Sequence, residues 1–497
     1  MNTLLVYPQY PDTFWSFKHI LKFLSKKALF PPLGLLTIAA MLPKEWNKNF
    51  IDLNVSTLQD EHIKWADYVF ISAMITQKES VKEVVDRCNK LGTKVIAGGP
   101  VFTTGHEEFE GIDHFVLGEA EITLPLFLKD LRNDCAKQVY SSDKYPDIKL
   151  SPIPLWNLIN IDHYYMMPTQ YSRGCPFDCE FCDIIILNGR VPRTKNISQL
   201  LQEFYALYKT GLRGYVFIVD DNFIGNKAKA MKILPAIIKW QKENKYPFRL
   251  MTQLTLDLAD DEELIQMMVH AGFERFFVGL ETPNKKSLDE CNKFPNKGRD
   301  MVAAVKTIHN YGIEVSGGFI VGFDNDPKSI FDSQISLIQN TGIIFAMVGL
   351  LQALPKTRLY NRLRYEGRLL KPSSGNNMDS FLNFIPKMDS ETVINGYKRI
   401  LQTIYSPKNY YDRINTFLED FKPVKRPRRI KFYEIKGFIQ SIWHLGIVGG
   451  EKGEYWKFII RSFFKHPRKF PEAIIFAFYG IHLRKVVVAI SKSNGFI

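Results

Sequence analysis

A chain of 497 residues is long enough for roughly two to four domains, and 45% apolar with 24% charged residues is the composition of a packed globular protein, which excludes disordered and fibrous classes. Six cysteines without framework spacing exclude a disulfide scaffold and point to a reducing, cytoplasmic compartment. The net charge of +13 sits almost entirely at one end, because Phe421–Ile497 holds 16 Lys and Arg against 4 Asp and Glu.

From Met1 to about residue 140, short apolar strands alternate with helices, the pattern of a parallel α/β sheet. Strands are expected at Leu4–Tyr7, Phe50–Val55, Tyr68–Ala73, Lys94–Ala97 and His114–Leu117. Helices are expected at Leu33–Leu42, after Pro31-Pro32, and at Ser80–Leu91, ended by Gly92. The opening Met1–Pro8 has no basic stretch and only a short apolar run, so it reads as the first strand rather than a signal peptide. Ligands of such sheets sit at the carboxyl ends of the strands, which nominates Ser72, Ala73, Met74, Gly98, Gly99, Gly118 and Glu119. The glycines among them allow close approach of backbone to a ligand. A linker is expected over residues 141–165, where Pro146, Pro152 and Pro154 interrupt regular structure.

The next strand, about Met167–Ser172, runs into Cys175-Pro176-Phe177-Asp178-Cys179-Glu180-Phe181-Cys182. Three thiols in C-x3-C-x2-C spacing can converge on one soft metal centre. A structural zinc ion would recruit a fourth protein ligand, and none lies close by. A 4Fe-4S cluster held by three thiolates keeps one iron open for a small molecule. A zinc knuckle or a redox pair is the alternative.

Residues 166–360 repeat a strand-then-helix pattern. Tyr215–Val219 ends in Asp220-Asp221-Asn222, Leu250–Leu254 follows, Phe276–Leu280 ends in Glu281, and Val348–Leu354 reads as the closing strand. Carboxylates and an amide at strand ends point into a barrel mouth, where an ammonium or a ribose hydroxyl can be hydrogen-bonded. Helix capping is the blander role for the same residues. Residues 361–497 form a mainly helical, basic region. Lys422, Lys425, Arg426, Arg428, Arg429 and Lys431 are interleaved with Phe432, Tyr433, Trp443, Tyr455, Trp456, Phe463, Phe464 and Phe470. Such mixtures suit an anionic lipid surface or a nucleic acid, or merely form a solvated face. The best apolar run, Ala473–Leu483, is too short to cross a bilayer before Arg484-Lys485.

The cysteine octet, with Phe181 directly before its last thiol, resembles the signature of the radical S-adenosylmethionine (radical SAM) superfamily, and Gly318-Phe319-Ile320-Val321-Gly322 resembles that family's G-x-I-x-G segment. Pro31-Pro32-Leu33-Gly34-Leu35 and Gly118-Glu119-Ala120-Glu121 resemble the cobalamin-binding domain that precedes many radical SAM cores. With Trp65-Ala66-Asp67, Gly189-Arg190-Val191-Pro192-Arg193 and Tyr455-Trp456, the whole chain resembles a lipid-modifying subgroup that includes hopanoid C-2 methylases and tetraether-lipid ring synthases.

That resemblance implies an α/β architecture: a Rossmann-like cobalamin domain, a partial (β/α)6 barrel and a mainly helical C-terminal domain. It implies a 4Fe-4S cluster on Cys175, Cys179 and Cys182, with S-adenosylmethionine chelating the fourth iron. Contacts to S-adenosylmethionine are expected from Asp220, Asp221, Asn222 and Glu281, and contacts to its adenine from Gly318, Ile320 and Gly322. The electron donor would be a flavodoxin or ferredoxin. Two departures stand out. Gln253 occupies a position where related sequences often carry glutamate, and the histidine that ligates cobalt in many cobalamin domains is missing from Pro8–Ser16, while His19 lacks the glycine that should follow. Bound cobalamin is therefore expected to be His-off. The expected activity is cobalamin-dependent methylation of an unactivated carbon in a membrane polyisoprenoid lipid, by a cytoplasmic enzyme peripheral to the membrane and with no nucleic-acid partner. Ring or carbon–carbon bond formation without methyl transfer is the alternative, and a non-catalytic cofactor-holding module that docks on membranes or RNA is the third reading.

Overall fold

Leu4, Leu5 and Val6 are completely buried, as expected of a central parallel strand covered by helices on both faces. In the computed structural model, which describes residues 1–376, 378–424 and 432–492, this strand belongs to the first of two parallel sheets. Its members are β1 (Asn2–Tyr7), β2 (Asn47–Asp52), β3 (Tyr68–Ser72), β4 (Lys94–Gly98), β5 (His114–Val116) and β6 (Val139–Tyr140), in the order β2-β1-β3-β4-β5-β6. The chain order reverses at β1, so the carboxyl ends of β3, β4 and β5 open side by side at one rim. The short β6 was not expected, since only two residues pair with β5 just before the predicted linker.

The second sheet runs β14-β13-β12-β11-β10-β7, all parallel. Its strands are β7 (Met166–Thr169), β10 (Gly214–Ile218), β11 (Phe248–Leu254), β12 (Phe273–Glu281), β13 (Glu314–Val321) and β14 (Ala346–Leu350). Edges β7 and β14 do not pair, so the sheet is a half-barrel. The single strand expected at Met167–Ser172 is split. Asp220 accepts the Tyr171 amide at 2.7 Å, which takes that amide out of the ladder, and β8 (Ser172–Arg173) pairs antiparallel with β9 (Arg193–Thr194). The cysteine octet is the loop between β8 and β9.

Val216 and Ile218 of β10 face the outer helices, whereas Tyr215 and Phe217 face the lumen with Met166 and Met251. The segment after β1 fills the lower part of that lumen. Trp15 lies 5.1 Å from Phe277 and 5.5 Å from Phe345, ring centre to ring centre, and stacks on Phe217 at 6.5 Å. The same segment then continues the sheet past β7, with Tyr165 N–H donating to Ala28 and Met166 N–H to Leu29 at 2.9 Å.

The C-terminal part is helical: Ser390–Ile404, Pro407–Asp420, Phe432–Ser441 continuing as Ile442–Ile447, Lys452–Lys465 and Phe470–Lys492. The last helix runs on through Arg484-Lys485, beyond the apolar run Ala473–Leu483. Arg484 pairs with Glu451 at 2.6 Å and its guanidinium lies over Tyr410 and Tyr411, so the charge is accommodated inside a continuous helix. By length and composition Pro467–Lys492 could cross a membrane, yet 67% of its most apolar window is buried against the rest of the chain. Lys425, Arg426, Arg428, Arg429 and Lys431 of the basic cluster lie outside the described residues, and the side chains of Phe432 and Tyr433 are not described.

Candidate active site

A cavity of about 530 Å3 lies between the carboxyl rim of the first sheet and the β8–β9 loop. From the first sheet it is lined by Ser72, Met74, Gly98, Gly99, Gly118 and Glu119, together with the helix Leu33–Met41 that Pro31-Pro32 starts. From the other side it is lined by Arg173, Asp183, Ile184, Leu187 and Asn188, the residues around and directly after the last cysteine. Ala73 does not reach it. Its carbonyl accepts Val101 N–H and the residue is buried behind the rim. No histidine lines the cavity among the described residues. His19 lies elsewhere, against Asp12 and 5.4 Å from the His482 ring.

The glycines of the rim have steric causes. A Cβ on Gly99, whose φ is +94°, would sit 2.6 Å from Ser72 Oγ, and one on Gly98 would sit 2.6 Å from the Val116 carbonyl oxygen. Any side chain there would push into the cavity wall or the strand behind it.

Asp220 is not open to a ligand, and Asp221 has one of its two carboxylate oxygens engaged. Asp220 is buried at the carboxyl end of β10 and accepts from Tyr171 N–H and Ser172 Oγ–H, both at 2.7 Å. Asp221 accepts from Gly174 N–H at 2.8 Å and Asn188 Nδ2 at 2.9 Å. The two carboxylates thus hold both stems of the cysteine loop. Burial still wins at Asp220, whose carboxyl is pushed up to about 7 despite its two donors. Gly174, at φ +99°, has three backbone carbonyls 3.0 Å from its missing Cβ, so the loop wraps tightly just before Cys175. Asn222 differs from its neighbours. It donates to Thr255 at 3.2 Å and to the Cys175 sulfur, while its buried Oδ1 has no hydrogen-bond partner.

Glu281, at the end of β12, is engaged as well. It adopts φ +64° and pairs with buried Lys293 at 2.6 Å. A Cβ on Gly279 would fall 2.2 Å from that carboxylate and 2.8 Å from the ammonium, so the glycine makes room for the pair. Lys293 was not legible in the sequence, because no spacing ties it to the cysteines. Its ammonium is nonetheless within electrostatic reach of all three thiols. Burial pushes Cys175, Cys179 and Cys182 up, and Lys293 opposes that shift at each. The sulfurs share one loop and are in electrostatic reach, but among the described residues no three Cys, His, Asp or Glu side chains are gathered into a metal-binding set. Gly318, Ile320 and Gly322 lie along β13 and its end, away from the cavity. Phe277 packs 3.2 Å from the missing Cβ of Gly318, and Asp326 accepts the Gly322 amide at 2.9 Å.

Glu119 is drawn into an ion-pair clasp rather than left free at the rim. It pairs with Arg173 at 2.7 Å and Arg193 at 2.5 Å, and Glu121 also pairs with Arg173 at 2.9 Å. Burial pushes the Glu121 carboxyl up, but Arg173 more than offsets this and leaves it below the usual range. Because Arg173 stands two residues before Cys175, the clasp fixes the cysteine loop against the first sheet. On the opposite side Arg362 pairs with Glu180 at 2.7 Å and Arg358 with Asp178 at 3.2 Å.

A three-cysteine loop at the mouth of a parallel half-barrel, facing a glycine-walled cavity on a Rossmann-like sheet, defines a radical SAM enzyme with a B12-binding domain. Comparison with known proteins agrees in every segment. Residues 24–128 match the B12 binding domain, residues 169–333 the radical SAM superfamily, and residues 357–494 a domain of unknown function, DUF4070. The chain is 38% identical to an uncharacterized methyltransferase of Synechocystis sp., over 97% of this chain and 91% of that one. It is 34% identical to the hopanoid C-2 methylase of Rhodopseudomonas palustris, over 92% of this chain and 88% of the relative. The structure of the radical SAM methyltransferase TsrM from Kitasatospora setae, with cobalamin and a [4Fe-4S] cluster bound, superposes with a TM-score of 0.65 at 14% identity, covering 99% of this chain and 100% of that one. The chain belongs to the cobalamin-dependent radical SAM methyltransferase family.

Proposed function

We propose that the enzyme methylates an unactivated carbon of a polyisoprenoid membrane lipid. The observation that carries the reading is the cavity between the rim of the first sheet and the stretch directly after Cys182, since a methyl donor and a radical source must act on one substrate atom. Held there, the cluster with S-adenosylmethionine would supply a carbon radical and cobalamin a methyl group. The donor set fits both groups. Three thiols on one short loop would suit a cluster with one open iron, and the rim glycines leave a flat wall for a corrin.

Within that reading Cys175, Cys179 and Cys182 would hold the cluster, and Asn222, buried at the end of β10, would orient the Cys175 thiol to which it donates. Asp220 and Asp221 orient the loop instead of touching the substrate, and Glu281 keeps Lys293 in place beside the thiols. Gly318, Ile320 and Gly322 give the adenine a flat strand to lie against. Ser72, Met74, Gly98, Gly99 and Gly118 would cradle the corrin, and no histidine lines that wall among the described residues. A flavodoxin or ferredoxin delivers the electron. The lipid class rests on the 34% identity to a hopanoid methylase and on the apolar surface described below.

The test is anaerobic reconstitution with iron, sulfide and cobalamin, followed by incubation with S-adenosylmethionine, a low-potential reductant and a panel of polycyclic triterpenes and linear polyisoprenoids. The expected result is about one cobalt per chain, 5′-deoxyadenosine, and a lipid product heavier by one methylene. A ring-closed product of unchanged carbon number would overturn methyl transfer. Turnover confined to water-soluble acceptors would overturn the lipid class.

A further inference from the structure

Two consecutive C-terminal helices carry a second apolar face that no part of the described chain covers. In Lys452–Lys465 the inner face is Tyr455, Phe458 and Ile459, all buried. A separate stripe on the same helix, Trp456, Ile460, Phe463 and Phe464, is exposed, with Phe464 77% accessible. The preceding helical stretch does the same at four-residue spacing, through Ile435, Ile439, Trp443 and Ile447. The stripes meet at the turn between the helices. Trp456 Nε1 donates to the Gly446 carbonyl at 3.0 Å, which sets the indole against the residue beside Ile447, and exposed Val448 caps the tip. Large apolar side chains aligned this way are unusual on a free surface.

The charges around the face are of one dominant sign. Lys452, Lys457, Arg461, Lys465 and Arg468 are exposed along the second helix and its end, and exposed Lys22 comes from the N-terminal segment, whose Phe23 ring packs 4.9 Å from His444 of the first helix. Glu454 and Glu419 are the acids paired with them. The stretch that leads into the hairpin adds Lys422, Lys425, Arg426, Arg428, Arg429 and Lys431 in the sequence.

We infer that this helical hairpin is a monotopic anchor, which inserts its Ile, Trp and Phe stripe into the interfacial layer of an anionic phospholipid bilayer while the lysines and arginines contact the headgroups. Aromatic and branched residues flanked by basic ones match the layered polarity of that interface, and basic residues gain up to about 1 kcal/mol each near an anionic leaflet. The long Pro467–Lys492 helix is not the anchor, since it is mostly buried beneath the hairpin. This deepens the lipid reading of the preceding section but rests on different residues. It would hold a lipid-modifying enzyme at the surface that contains its substrate class.

The experiment is flotation of the full chain with vesicles of phosphatidylcholine alone or with added phosphatidylglycerol, and the same with Trp443→Ala/Phe464→Ala. Both positions are more than half exposed, so the fold is expected to be unchanged, and the melting temperature checks this. Expected are binding to the anionic vesicles, a loss of about tenfold in affinity for the double variant, and unchanged turnover of detergent-dispersed substrate. Equal binding by wild type and variant overturns the proposal. So does a wild-type dimer that the variant dissolves, or a preference of the stripe for RNA over vesicles. Failure of lipid methylation with vesicle binding intact would remove the substrate reading and leave the anchor standing.

Discussion

Replacing Glu119 with Gln removes one carboxylate from a buried cluster that holds two guanidinium groups, and the consequence can be worked from its partners. Arg173 and Arg193 are each 16% exposed and Glu119 7%, so solvent screens these pairs little. Taking one partner out of a buried ion pair typically costs about 3–5 kcal/mol. Here the lower end applies. Arg173 retains Glu121 at 2.9 Å, and Arg193 retains the carbonyl oxygens of Pro146 at 2.6 Å and Asn188 at 2.9 Å. Because the clasp joins the first sheet to the stem of the cysteine loop, the loss falls on the docking of that loop. A change of about 3 kcal/mol is roughly a hundredfold in the opening equilibrium. Amide exchange in Ser172–Thr194 should accelerate by that factor in Glu119→Gln, while peptides from β11 and β12 stay as they are. Exchange within about twofold of wild type, with weakened cobalamin binding as the sole defect, would refute the clasp and restore Glu119 as a cofactor contact.

Cys175→Ala, Cys179→Ala and Cys182→Ala should each abolish iron retention and 5′-deoxyadenosine formation under reducing, oxygen-free conditions; retained cleavage in all three would exclude the cluster assignment. Gly99→Ala places a Cβ 2.6 Å from Ser72 Oγ at φ +94°, so cobalamin retention on gel filtration should fall while iron content stays unchanged. Asp220 is held up at about 7, so the folded protein binds its proton more tightly than the unfolded chain does. Its stabilising contribution is therefore full below about pH 4 and is lost as pH rises through 7. Asp220→Asn should remove that slope from the pH dependence of the urea midpoint, and an unchanged slope would place the titration elsewhere.

The strands were legible because each is a short apolar run, and β4, β5, β10 and β12 end at, or within two residues of, a glycine or an acidic residue. β1, β3, β4 and β5 fall within a few residues of expectation, and β10, β11, β12 and β14 do likewise. The cysteine loop was legible from spacing alone. What the sequence hides is how polar groups divide their bonds. Asp220-Asp221-Asn222 reads as three equal ligand candidates, yet two carboxylates are spent on backbone and side-chain donors from residues 171–188, at separations no local pattern encodes. Glu119 reads as a rim residue for the same reason, since its partners are 54 and 74 residues away. The segment Pro8–Phe30 is the largest unread feature. It lacks periodicity, and only the half-barrel lumen explains why Trp15 and Phe17 are there.

That segment also bears on why the histidine is missing. In this chain the stretch after β1 is occupied with closing the half-barrel: Trp15 fills the lumen, Phe17 stacks on Phe345 at 5.4 Å and on the His482 ring at 5.1 Å, and Ala28 and Leu29 extend the sheet beside β7. A loop tied down at both the lumen and the sheet edge cannot also present a ligand at the rim of the first sheet, where Gly98, Gly99 and Gly118 form the wall. The cavity must then be positioned by other contacts. Two sets are available, and their burial ranks them. The Arg358–Asp178 and Arg362–Glu180 pairs are 47% and 28% exposed on the arginine side, where such pairs contribute at most about 1 kcal/mol. The clasp of Glu119 and Glu121 on Arg173 is far more buried and stands two residues from Cys175. The first sheet therefore sets where the cysteine loop sits, and the clasp ties that loop to the wall of the cavity.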